Sequence, residues 1–141
     1  MILLIDTNVV LDILLRRVSF YESAAKVVVL SEKGYINCYV SASAVTDIFY
    51  IAQKELKNKD KAVRLLENLF KVFRIASVTE ACINEALDLK WDDFEDCVQY
   101  TVGKNIFADF IVTRNVKDFT KSNIKAVSSD ELLKIITEHN D

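Results

Sequence analysis

Proline is missing from this 141-residue chain, and glycine occurs only twice, at Gly34 and Gly103. Linkers and low-complexity stretches are built from such residues, so nothing marks a boundary and residues 1–141 are expected to form one domain. Cysteine is sparse and odd in number. Cys38, Cys82 and Cys97 have neither CxxC nor Cys/His spacing, which argues against a disulfide framework and a zinc site and leaves them as small buried hydrophobes. The only histidine, His139, lies near the carboxyl end, so histidine acid/base or triad chemistry has nothing to be built from. Charges interrupt every apolar run well short of a bilayer's thickness, and the amino terminus has no basic segment leading into an apolar one. A soluble, cytoplasmic protein with no membrane partner is expected.

What is present is a large apolar fraction, 51% of residues, enough for a sizeable core. The net charge of −3 supplies no global attraction to nucleic acid. Two basic stretches, Lys54/Lys57/Lys59/Lys61/Arg64 and Arg114/Lys117/Lys121/Lys125, read first as solvated faces. The aromatics Tyr39, Phe49, Tyr50, Phe70 and Phe73 read as core rather than interface.

Short apolar runs alternate with longer segments of helical period, the signature of an α/β fold: a central parallel sheet of four to five strands between layers of helices, α/β/α. ILLI, YINCYV and FRIAS are the first three strands, IFADFIVT contains the fourth, and KAV is a short fifth. Ser19 and Glu22 form a capping box for a helix stopping at Gly34, and Ser128 and Glu131 form another for the last helix. Ser41 or Ser43 caps a helix with a stripe of Val45, Ile48, Phe49, Ala52 and Leu56. A further helix spans Ala62 to Leu69, one starts at Thr79, and one runs from about Asp92 until Gly103 stops it.

Sites in open parallel sheets lie beyond the carboxyl ends of the strands. Asp6 closes the first strand, Asp47 sits in the first turns of the helix after the second, and Asn115 and Asp118 follow the fourth, so all can meet at one edge. In WDDFEDCVQY, Asp93 and Asp96 share a helix face while Phe94, Cys97 and Val98 turn inward. Asp92 and Asp93 are explained by the helix dipole alone. Asp6, Asp47 and Asp96 are not, because each has apolar neighbours. Gathering them without counter-charge would oppose folding by several kcal/mol each, as a rough figure. A hard divalent cation relieves that repulsion, and oxygen ligands without histidine or thiolate suit Mg²⁺ or Mn²⁺.

Four blocks in order, LLIDTNVVLDILL, YVSASAVTDIFYI, DFEDCVQY and FIVTRNVKDF, resemble the PIN domain, a metal-dependent ribonuclease fold of toxin subunits and RNA-processing nucleases. The resemblance implies Asp6 as the central metal ligand and Asp96 as the second inner acid. It implies a ligand at Asp47, where many members carry glutamate and where the shorter side chain binds through water. Thr113 would be a hydroxyl that holds a ligand in place. The last acid falls on Asp118, with Asn115 as a neutral ligand or supporting partner. Arg114 and Lys117 are the leading RNA-binding candidates, with Arg16, Arg17 and Lys54 behind them. The implied reaction is hydrolysis of an RNA phosphodiester by metal-activated water, leaving a 5′-phosphate and a 3′-hydroxyl. The implied partners are a cognate antitoxin and a second copy of the chain.

Other readings fit the residues less well. A haloacid-dehalogenase-type phosphatase needs an aspartate where Asn8 stands, and a receiver domain needs an early acid pair and a late lysine where TRN offers arginine. A PIN-like binding module with little nuclease activity is the remaining alternative, motivated by Asp47 and Asn115.

Overall fold

The computed structural model describes residues 1–139. Five strands, β1 (Ile2–Ile5), β2 (Asn37–Ser41), β3 (Arg74–Ala76), β4 (Phe110–Val112) and β5 (Lys125–Val127), form one sheet in the order β3-β2-β1-β4-β5, every pair parallel. The first strand therefore lies in the middle. Its side chains alternate: Leu3 and Ile5 enter the core on one face, and Leu4 enters the core on the other. All three are fully buried, each a contribution of roughly 1.5–3 kcal/mol.

Parallel strands need crossovers, and these supply the helices on both faces. One face carries α1 (Thr7–Leu14), α2 (Tyr21–Glu32), α3 (Ala42–Leu56), α4 (Lys59–Leu69) and α7 (Ser129–His139). The other carries α5 (Glu80–Leu89), α6 (Phe94–Asn105) and residues of the short 3₁₀ helix Val116–Phe119. The result is the three-layer α/β/α arrangement expected. No described helix is long and apolar enough to cross a membrane, and Cys38, Cys82 and Cys97 are free and buried.

Local chemistry accounts for most helix starts. Ser41 caps α3 by accepting from the Ser43 N–H, Thr79 caps α5 through the Cys82 N–H, and Ser128 accepts from the Glu131 N–H. The Ser19–Glu22 box does not form. The Arg17 carbonyl instead takes the N–H groups of both Phe20 and Tyr21, closing a backbone turn that starts α2 after Phe20, without a side-chain cap. Arg16, at φ +50, precedes that turn. Gly34, at φ +82, follows the end of α2, and its N–H meets the Ser31 carbonyl.

Gly103 does not stop α6, which runs on to Asn105. It sits inside the helix where a Cβ would come within 3.2 Å of the Ile124 side chain and 3.6 Å of Leu4, so it lets α6 lie close against the sheet. Two further expectations fail for one reason, that a residue lining a cleft need not be buried even where its neighbours are apolar. Phe94 opens α6 with 44% of its surface exposed instead of facing the core, and Tyr50 is 63% exposed.

Glycine scarcity leaves its mark where helices end. Lys57 after α3 and Lys90 after α5 adopt left-handed conformations, φ +52 and +54, that a side chain disfavours. Lys57→Gly and Lys90→Gly are each expected to stabilise the fold by about 0.5–1 kcal/mol, seen in thermal denaturation as a rise of roughly 2–4 °C per kcal/mol.

Candidate active site

The carboxyl ends of the central strands open into a cleft of about 840 Å³. Six acids line it: Asp6, Asp47, Asp93, Glu95, Asp96 and Asp118, with no lysine or arginine among the lining residues. Asn115, Thr7, Asn8 and Gln99 supply neutral polar groups, and Tyr50 and Phe94 supply exposed rings.

Asp6 is the deepest acid, 7% exposed. It follows β1 and caps α1 with extended backbone, so its carboxylate turns back over the helix start. Oδ1 accepts from the Thr7 N–H at 2.8 Å and from the Gln99 side-chain amide at 2.8 Å. Oδ2 accepts from the Thr113 hydroxyl at 2.8 Å. That hydroxyl also accepts from the Asn115 N–H at 3.0 Å, tying the TRN loop to the same carboxylate. Burial raises the proton affinity of Asp6, the three donors oppose the rise, and the charge of Asp118 adds to it.

Asp96 lies in the first turn of α6, where its N–H is held by the capping Asp93 carboxylate at 3.0 Å. It is half-buried, and its pKa is pushed up to about 7, first by burial and then by the charges of Asp93, Asp6, Asp118 and Glu95. Four acids thus act on one, which puts Asp6, Asp96 and Asp118 in a common field. Asp118 is an exposed member of the 3₁₀ helix, on the cleft wall. Asp47 also lines the cleft but is exposed instead of enclosed by apolar residues, because α3 turns Ala44, Ile48 and Ala52 inward and Asp47 off that stripe.

The basic candidates divide. Arg114 is not in the cleft lining; its Nε lies 3.0 Å from Asp12 Oδ2, its guanidinium sits 4.1 Å from the centre of the Phe20 ring, and its N–H reaches Asn8 Oδ1 at 3.4 Å. Lys117 lines a smaller adjoining pocket of about 190 Å³ with Lys121, Trp91 and Thr120, and the two pockets share Asp93, Asp96 and Asp118. Arg17 pairs with Glu55 and approaches Asp12.

Asp12 and Gln99 were not singled out in the sequence. Asp12 is 1% exposed, held between Arg114 and Arg17, and fixes the TRN loop against α1. Its signal was available: one acid inside the apolar run VVLDILL has to meet a partner. Gln99, 5% exposed, had only a weaker signal, its place one helical turn after Asp96.

Among the described residues, no group of three or more histidine, cysteine, aspartate or glutamate side chains forms a close metal cage. The donor chemistry still suits a hard cation that keeps part of its water: oxygen ligands only, mutual repulsion among the acids, and a buried amide oxygen on Gln99 with no hydrogen-bond partner.

A family model described as PIN domain matches residues 3–117. The chain belongs to the PIN domain family. Nuclease chemistry is the family's activity, and PIN-domain nucleases typically use divalent metal ions. Similar PIN folds have been solved in toxin–antitoxin systems. The structure of VapBC2 from Rickettsia felis, bound to a DNA fragment from its promoter, aligns with a TM-score of 0.70 at 15% identity, over 91% of this chain and 98% of that one. FitAcB from Neisseria gonorrhoeae aligns at 0.65 and 21% identity, over 92% and 98%. The sarcin–ricin loop cleaving toxin VapC20 of Mycobacterium tuberculosis aligns at 0.62 and 15% identity, over 77% and 86%. No curated protein sequence matches significantly.

The acid field makes a pH-dependent prediction for the protein in chelator. Asp96 holds its proton more tightly when folded (about 7) than at the ordinary value of 3.8, so ionising it opposes folding. Stability contributed by its protonated form is present below the ordinary value and is lost as pH rises through the folded one. Asp96→Asn should therefore raise the melting temperature by roughly 5 °C near pH 8 and leave it nearly unchanged below about pH 4.

Proposed function

We propose that this PIN-domain protein is a Mg²⁺- or Mn²⁺-dependent ribonuclease and the toxin of a toxin–antitoxin pair. The observation that carries the reading is the cleft lined by six carboxylates and no basic side chain, at the carboxyl edge of a parallel sheet. Such a lining repels a bare phosphodiester and favours a divalent cation, which when bound activates water and neutralises charge developing on phosphorus.

In this reading the chain's own groups divide the work. Asp6, fixed by three donors, and Asp96, on the helix crossing opposite it, are the inner ligands, while Asp47 and Asp118 act from the exposed walls through water. Thr113 orients Asp6, and Asn115 steadies Thr113 through its N–H. Water oxygen bonds to phosphorus as the bond to the 3′ oxygen breaks; the 3′ oxygen leaves with a proton as a hydroxyl, and the 5′-phosphate remains on the other fragment. Lys117 and Lys121, beside the acids, are placed to meet neighbouring phosphates. Arg114, neutralised by Asp12, braces the TRN loop and offers RNA its remaining exposed edge. Tyr50 from α3 and Phe94 from α6 rise from opposite sides of the sheet and give bases a surface to stack on.

VapC20, named as a cleaver of the sarcin–ricin loop, supports an RNA substrate. VapBC2 and a toxin–antitoxin complex from Klebsiella pneumoniae, aligned at 0.66 and 17% identity over 89% of this chain and 96% of that one, support an antitoxin partner. A homodimer belongs to the same reading and is read out by light scattering.

Purified protein should cleave loop-containing RNA in Mn²⁺ or Mg²⁺ and lose the activity in chelator, with Asp6→Asn and Asp96→Asn each at least about 100-fold slower. Tyr50→Ala should raise KM by about tenfold and change kcat little. Equal trace cleavage by wild type and both aspartate variants marks a contaminant. The protein is then a binding module, the alternative that Asp47 and Asn115 motivate.

A further inference from the structure

Gln99 links the buried Asp6 to the helix that carries Asp96. Its amide donates to Asp6 Oδ1 at 2.8 Å across 93 residues of sequence. Three positions earlier on the same helix stands Asp96, so both side chains leave α6 on one face. The orientation of the amide is forced: an ionised Asp6 only accepts, so the NH₂ group faces it and the amide oxygen turns away. That oxygen is buried without a hydrogen-bond partner, which costs local stability. An apolar residue of the same size would avoid that loss. The charges of Asp6 and Asp96 repel each other across the same region. The hydrogen bond from the Gln99 amide holds Asp6 to α6 against that repulsion.

We propose that Gln99 is a positioning residue: by tethering Asp6 to α6 it sets the separation between Asp6 and Asp96 at which a hydrated divalent cation binds. The role rests on reading the acids as a cation site and adds a residue that is not itself an acid. Thr7 and Thr113 also hold Asp6, but Thr7 opens α1 and Thr113 follows β4, and only Gln99 reaches it from the helix that carries Asp96. Losing the amide leaves Asp6 with two donors while freeing α6 to recede.

The test is Mn²⁺ uptake measured by electron paramagnetic resonance, beside melting temperature in chelator, for wild type, Gln99→Met, Gln99→Leu and Asp96→Asn. Methionine keeps the length and volume of the side chain without the donor. The expected result is a Kd for Mn²⁺ raised about 10–100-fold in Gln99→Met, no lower melting temperature in chelator, and RNA cleavage restored by raising Mn²⁺. Gln99→Leu should behave alike. Either variant binding Mn²⁺ within about twofold of wild type overturns the role. So does a melting temperature that collapses in both variants, which would make the amide a strut of the fold. Wild type that takes up no more Mn²⁺ than Asp96→Asn sinks the cation site itself, an outcome distinct from equal binding by wild type and Gln99→Met.

Discussion

A buried carboxylate held by three donors organises this molecule. Asp6 collects an N–H from the start of α1, an amide from α6 and a hydroxyl from just after β4, and so ties three segments to one side chain. Each donor favours the charged form that burial opposes, and each fixes a direction in which the carboxylate cannot turn. Its position is set by the sheet: β1 is central and apolar on both faces, so the first polar residue after it arrives at the edge where the helices diverge. Around it the TRN loop is fastened twice, through Thr113 to Asp6 and through Arg114 to Asp12.

The second constraint is repulsion. A fold selected for stability alone would not bring six acids to one cleft without a basic residue, nor bury an amide oxygen unpaired. Both features weaken the isolated chain and both make sense where a cation is to be received. Basic groups stand just outside, with Lys117 and Lys121 in the adjoining pocket. That arrangement keeps the floor negative and places the nearest lysines at its margin, among Asp92, Asp93, Asp96 and Asp118.

Much of this was legible in the residues because it obeys short-range rules. Apolar runs gave the strands, serine and threonine caps gave the starts of α3, α5 and α7, and strand ends gave the places of Asp6, Asn115 and Asp118. What was not legible depends on contacts between distant segments. Ser19 lost its capping role because the Arg17 carbonyl, taking the N–H groups of Phe20 and Tyr21, starts the helix later, after Phe20. Gly103 reads as a helix stop by composition and is a contact point with Leu4 and Ile124 in space. Phe94 and Tyr50 fit an apolar pattern yet face a cleft that no periodicity encodes. Gln99 and Asp12 gain their meaning only from partners on other elements.

Placing the first-made strand at the centre of the sheet has a consequence for synthesis. Leu3 must wait for Phe110 to gain its second neighbour, and Asp6 for Gln99 and Thr113 to gain two of its three donors. A nascent chain that has not yet reached Gln99 has neither the fourth strand nor those two donors, so its central strand lacks one neighbour and its carboxylate keeps a single donor. The acid cleft thus takes shape only once segments 93 and 107 residues beyond Asp6 have been made and brought back to it.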